Sequence, residues 1–222
     1  MIRSLIILAT ACVAVGQASA QSLVDGDPKA GEDKSLACAA CHGANGISVN
    51  PEWPNLAGQH AGYIEVQLHA FKEMKRVNAL MNGQAMILSD QDMKDLAVYF
   101  EAMDAPVQEV ADPGLVARGE SIYRGGVQEN KAAACIACHG PTGKGNPAAN
   151  YPVLAGQHAT YTAKTLRDYA SDERQSGEPA YMMQEIAKAL SEEDIVAVSA
   201  YVQGLQERTP LPSRAMDVAE GE

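Results

Sequence analysis

The sequence has few aromatic residues: one tryptophan, two phenylalanines and eight tyrosines make 5% of 222 residues. Small domains bury limited apolar surface, so a chain this poor in large side chains needs something besides protein to complete its cores. Positive charge is also short. Seventeen Lys and Arg stand against 28 Asp and Glu, a formal net charge of −11, which excludes nucleic acid as a partner because phosphates demand a basic face. Such acidity keeps an exported protein soluble or steers it toward a basic partner. Beyond residue 20 no stretch approaches the roughly 20 apolar residues of a membrane span. No alternating strand pattern competes with the helical periodicities of the chain.

The N-terminus does carry an apolar run. Arg3, the stretch from Leu5 to Val15 and the small residues Ala18-Ser19-Ala20 predict a secretory signal peptide over residues 1–20, cleaved before Gln21. The expected address is the periplasm, and the mature chain is expected to have no transmembrane segment. Five cysteines are present, and Cys12 lies inside the signal, so four remain. In an oxidising compartment spare thiols pair. These four are placed for something else.

They occupy two five-residue stretches, Cys38-Ala39-Ala40-Cys41-His42 and Cys135-Ile136-Ala137-Cys138-His139. On a helical turn, residues at i, i+3 and i+4 share a face. Two thiols and an imidazole then converge on one object. The spacing suits a haem whose vinyl groups are captured by Cys38 and Cys41, or by Cys135 and Cys138, while His42 or His139 ligates the iron. A dithiol redox pair or half a zinc site also uses C-x-x-C, but neither needs a histidine directly after it. Two covalently bound haem c groups are expected, each serving as part of a core.

The mature chain says almost everything twice. Asp27-Pro28 and Asp112-Pro113 each place an N-cap candidate before a proline at the first helical position. Each opens a helix carrying a glycine, Gly31 or Gly119. Glycine-rich loops follow both haem motifs. Then Pro54-Asn55-Leu56-Ala57-Gly58-Gln59-His60 is answered by Pro152-Val153-Leu154-Ala155-Gly156-Gln157-His158, which establishes duplication. After a middle helix and a loop bearing methionine, Ser89 with Asp92 and Ser191 with Asp194 resemble capping boxes at the start of last helices. Met93, Leu96, Phe100 and Met103 stripe one of these, and Ile195, Val198, Val202 and Leu205 the other. The predicted organisation is all-α, with domains over residues 21–104 and 113–207, a linker over 105–112 and a disordered tail over 208–222.

What fills the second axial position decides function, since a strong ligand favours electron transfer and an open position permits chemistry. Met81 lies eight residues before Ser89, and Met183 eight before Ser191. Met86 and Met182 are rivals without a partner in register. His60 and His158 are also duplicated and would give bis-histidine haem, although their place at the opening of a helix better suits capping or a contact near a propionate. The carbonyls of Pro54 and Pro152 are candidates to accept the free imidazole N–H and fix each ring.

With these residues collected, the chain resembles the dihaem cytochrome c4 family of bacterial class I cytochromes c. The resemblance runs from Asp27 to about Leu205; Trp53, where a smaller aromatic is usual, and the tail depart from it. It implies two tandem class I cytochrome c-like domains related by a pseudo-twofold, with haem propionates facing each other across the interface. It further implies axial pairs His42 with Met81 and His139 with Met183, prolines Pro54 and Pro152 holding the histidines, and Tyr63 and Tyr161 near the haems. Gly31 with Tyr99, and Gly119 with Tyr201, would mark the crossing of first and last helices. The function implied is that of a monomeric, soluble electron carrier and not an enzyme. It would move electrons between a redox protein donor and acceptor among respiratory complexes, commonly toward a terminal oxidase. A dihaem peroxidase or sulfur-compound dehydrogenase, and a cytochrome subunit held in a larger dehydrogenase or oxidase complex, are the rivals.

Overall fold

In the computed structural model, residues 22–175 and 180–206 are described. The expected signal peptide and the whole of the expected tail lie outside them. All regular structure among the described residues is helical, apart from isolated bridges.

The first half runs through α1 (Pro28–Lys34), α2 (Leu36–His42), α3 (Ala61–Lys72), α4 (Ala79–Met86) and α5 (Asp90–Glu101). Asp27 caps α1, its carboxylate accepting from the backbone N–H groups of Lys29 and Ala30, with Pro28 in the first turn where no N–H is missed. The second half begins with a 3₁₀ turn, Pro113–Leu115, where the repeat predicts α-helix directly. It continues through α6 (Val116–Gly125), α7 (Ile136–His139), α8 (Ala159–Ala170), α9 (Ala180–Lys188) and α10 (Glu192–Gln203). Asp112 caps the 3₁₀ turn through the N–H of Gly114.

First and last helices cross at glycine in both halves. A Cβ on Gly31 would lie 2.1 Å from the Asp95 carbonyl oxygen and 2.7 Å from the Tyr99 Cβ; one on Gly119 would lie 2.3 Å from the Ala197 oxygen and 2.5 Å from the Tyr201 Cβ. Only glycine lets these backbones approach so closely. Helices α3 and α8 pack against α5 and α10, completing two separate apolar clusters, one around Leu96, Ala97 and Phe100 and one around Tyr123, Ile195 and Val202.

Both capping boxes form. The hydroxyls of Ser89 and Ser191 accept from the N–H groups of Asp92 and Asp194, whose carboxylates accept in return from the serine N–H groups. The methionine segments differ from expectation: Met81 and Met183 sit on short helices, α4 and α9, rather than in loops. Asn78 supplies the missing start signal for α4, its side chain accepting from the N–H of Met81.

The two halves dock through the duplicated segment. Gln59 donates to the Val153 carbonyl and accepts from the Val153 N–H; Gln157 does the same with both backbone groups of Asn55. The pseudo-twofold that relates the halves therefore passes through this exchange of backbone bonds. Among the described residues no helix is long and apolar enough to cross a membrane.

Candidate haem sites

Helix α2 carries Cys38, Cys41 and His42 on its last turns and ends at Gly43, whose φ of 80° turns the chain back toward Pro54. There the His42 Nδ1 lies 2.8 Å from the Pro54 carbonyl oxygen. A carbonyl only accepts, so Nδ1 carries the proton and the lone pair is left on Nε2. The second copy repeats this with a shorter helix: His139 Nδ1 donates to the Pro152 carbonyl at 3.0 Å, after Gly140 at φ 74°. Both imidazoles are buried. Burial pushes their pKa values down from the ordinary histidine value, with the proline carbonyls pulling partly back, so both rings are neutral and basic at Nε2 near pH 7.

One cavity of about 1140 Å³ is lined by both motifs. A single small-molecule site holds about 300–1,000 Å³, so this space exceeds one ordinary ligand. Cys38, Cys41 and His42 meet it from one half, and Cys135, Cys138 and His139 from the other. Met81 and Met183 also line it, as do Trp53, Tyr63 and Tyr161. Met182 reaches the same wall beside Met183. Met86 does not; it lies 60% exposed on the end of α4. Neutral imidazoles, thiol pairs and thioethers around an apolar volume form a donor set that fits two covalently held haems.

The same residues do not suit the other uses of C-x-x-C. Thiol redox chemistry needs a depressed thiol pKa. Here burial raises the Cys38 thiol, helped by Cys41, and pushes that of Cys135 up to about 11. Among the described residues no three His, Cys, Asp or Glu side chains cluster as a metal site.

His60 and His158 are not among the cavity-lining residues. Each Nε2 is engaged with a backbone carbonyl of the opposite half: His60 with Lys144 at 2.7 Å and His158 with Ser48 at 2.9 Å. They act as interdomain ties. Two further residues emerge only from the structure. Arg76 and Arg174, each 13 residues after the paired tyrosines, form an antiparallel bridge with one another in the wall of the cavity. Their equal spacing from Tyr63 and Tyr161 was the available signal, but spacing alone does not say that the two copies meet there.

Comparison with known proteins agrees with this geometry. The family model for cytochrome c matches residues 33–104 and again 116–206. Cytochrome c4 of Pseudomonas aeruginosa is 46% identical over 180 residues, covering 81% of this chain and 89% of the relative. The thiosulfate dehydrogenase electron acceptor of Stutzerimonas stutzeri is 36% identical over 175 residues, covering 75% of this chain and 78% of that protein. The crystal structure of reduced recombinant cytochrome c4 from Pseudomonas stutzeri superposes with a TM-score of 0.79 at 40% identity, over 82% of this chain and 100% of that one. With two cytochrome c folds in tandem, each built for a covalent haem c, this chain belongs to the cytochrome c4 family and is an electron-transfer protein rather than an enzyme.

Proposed function

We propose that the mature chain, freed of residues 1–20, is a periplasmic carrier of single electrons between respiratory redox partners, with a terminal oxidase as the final acceptor. In this reading Cys38, Cys41, Cys135 and Cys138 hold the haems, His42 and Met81 fill the axial positions of one iron, and His139 and Met183 fill those of the other. Each haem c supplies an iron that cycles between ferric and ferrous states. The protein keeps the ligands still while that happens. The Pro54 and Pro152 carbonyls fix the imidazole rings and their tautomer; α4, capped by Asn78, presents the Met81 sulfur, and α9 presents that of Met183, which packs against the apolar cluster of its half. Rigid ligation lowers the cost of changing oxidation state.

The observation that carries this reading is the shared cavity, which has a histidine and a methionine from each half on its wall. A carrier needs nothing more than two filled irons close together. Mixing the oxidised protein with millimolar cyanide tests it: both Soret bands stay unshifted if both irons are filled, whereas a rapid shift of one band indicates an exchangeable position and a dihaem enzyme. Reduced protein is further expected to be reoxidised by oxidase-containing membranes.

The resemblance to a thiosulfate dehydrogenase electron acceptor supports a second reading, in which the same chemistry serves one dedicated dehydrogenase. Affinity isolation of the tagged native protein separates the two. A carrier emerges alone, and a subunit emerges with a stoichiometric partner.

A further inference from the structure

Where the two halves meet inside the cavity, the duplication places two arginines against each other. Arg76 lies with its guanidinium 4.5 Å from the centre of the Phe71 ring, and Arg174 lies 4.7 Å from that of Tyr169, five residues earlier in each case. Each then reaches over the pseudo-twofold. Arg76 Nη2 donates to the Tyr161 hydroxyl at 2.8 Å, and Arg174 Nη2 to the Tyr63 hydroxyl at 2.6 Å. Both also donate to one oxygen, Gln67 Oε1, at 2.9 Å from Arg76 Nη1 and 2.8 Å from Arg174 Nη2. Arg174 is only 1% exposed, and all seven residues line the cavity between the two haem motifs.

Two guanidinium groups brought to one amide oxygen concentrate fork-shaped donors on one stretch of the cavity wall. Ring stacking and tyrosine hydroxyls hold both forks at the cavity. The planar fork of arginine is matched to carboxylate, and the haems this family carries each bear two propionates. We propose that Arg76 and Arg174 form one dicationic carboxylate site shared by the propionates of both haems, and that Gln67 makes the two haem environments unequal. This extends the reading of two filled, neighbouring irons and rests on it.

The inequality comes from one position. Repeat register puts Thr165 where Gln67 stands in the first half. A short hydroxyl does not extend as far as the long amide, and Thr165 acts instead on the Tyr161 hydroxyl, helping to lower its pKa. The surroundings of the paired tyrosines are unequal as well. Burial pushes both hydroxyls up, but at Tyr161 the charges of Arg76 and Arg174 outweigh it and bring the pKa to about 8. At Tyr63 burial prevails and leaves it at about 12.

Spectroelectrochemical titration of the dihaem protein tests both parts. Positive charge beside a haem favours the reduced state, so Arg76→Gln and Arg174→Gln are each expected to lower both reduction potentials, and Arg→Lys at the same sites to restore most of the loss. The double exchange Gln67→Thr with Thr165→Gln changes no charge and is expected to move the two potentials in opposite directions, altering their gap. Potentials unmoved by Arg→Gln, or only one of them lowered, would overturn the shared site. An unaltered gap in the exchange would overturn the role of Gln67. The near-infrared methionine band, recorded on every sample, is expected to persist. Its loss in the Lys and Gln variants alike would mean that the arginines only hold the fold, and would also overturn the site. Its absence from the unmutated protein would instead defeat the axial assignment, an outcome separate from the arginine result.

Discussion

At the scale of single residues, two decisions carry the chemistry: which nitrogen of each histidine is free, and which sulfur faces it. The proline carbonyls make the first decision by accepting from Nδ1. Placement on the cavity wall bears on the second, since Met81 and Met183 line it while Met86 points to solvent. Replacing Met81 or Met183 with Ala is expected to remove half of the near-infrared methionine band each, while Met86→Ala and Met182→Ala leave it intact. Visible and near-infrared spectra of the four ferric variants check this. The convergence of the histidines and cysteines on one cavity was legible in the sequence, because C-x-x-C-H is a local pattern read on one turn of helix. The preference for Met81 over Met86 came from the repeat, in which duplication preserved the distance from methionine to the Ser-x-x-Asp cap.

At the scale of elements, the starts of the last helices were legible and two short helices, α4 and α9, were not. Serine with aspartate three residues on announces α5 and α10 because both halves of the capping box lie within four residues. Helix α4 was missed because its cap, Asn78, lies among Arg76, Val77 and Ala79, and the eight residues after it are too few to show an apolar period. Replacing Ser89 with Ala is expected to cost about 1 kcal/mol at neutral pH. The deficit depends on pH. Hydrogen bonds from the Ser89 hydroxyl and N–H, then from Lys34, hold the Asp92 pKa at about 2, below its ordinary 3.8. A depressed carboxylate stabilises the fold above its unfolded pKa, and that stability is lost as pH falls through the folded value. Denaturant titrations at neutral pH and between about pH 4 and 2 should therefore show Ser89→Ala weaker at neutral pH and converging with the unmutated protein at the acid end. The helix crossings offer a second test. With 2.1 Å available at Gly31 and 2.3 Å at Gly119, alanine at either site forces the first helix off the last. Such overpacking costs roughly 1–3 kcal/mol, measurable as a lowered denaturation midpoint of the haem-loaded protein.

At the scale of the whole molecule, duplication does more than repeat a fold. It supplies self-complementary groups: Gln59 and Gln157 serve the backbone of the opposite half, the two histidines tie across, and the two arginines meet. None of these partnerships was legible, because a repeat shows which residues correspond without showing that they face one another. The sequence does not distinguish a docked pair from two beads on a linker. Replacing Gln157 with Leu leaves the buried N–H and carbonyl of Asn55 without the side chain that satisfies them, at a cost of roughly 1–3 kcal/mol. Calorimetry of that variant is expected to resolve two unfolding transitions where the unmutated protein gives one. The acidic surface adds a further expectation: exchange with a basic redox partner slows as salt is raised past the point where the Debye length falls to about 8 Å. Stopped-flow rates at several ionic strengths would record it.

The central claim is that both irons are held between histidine and methionine, one pair from each half. The near-infrared charge-transfer band of methionine-ligated ferric haem, quantified against total haem in the purified protein, tests it most directly. Two equivalents per chain is the predicted result. One equivalent would contradict the symmetric assignment and leave an iron open to exogenous ligands, and none would move both irons to a different ligand set.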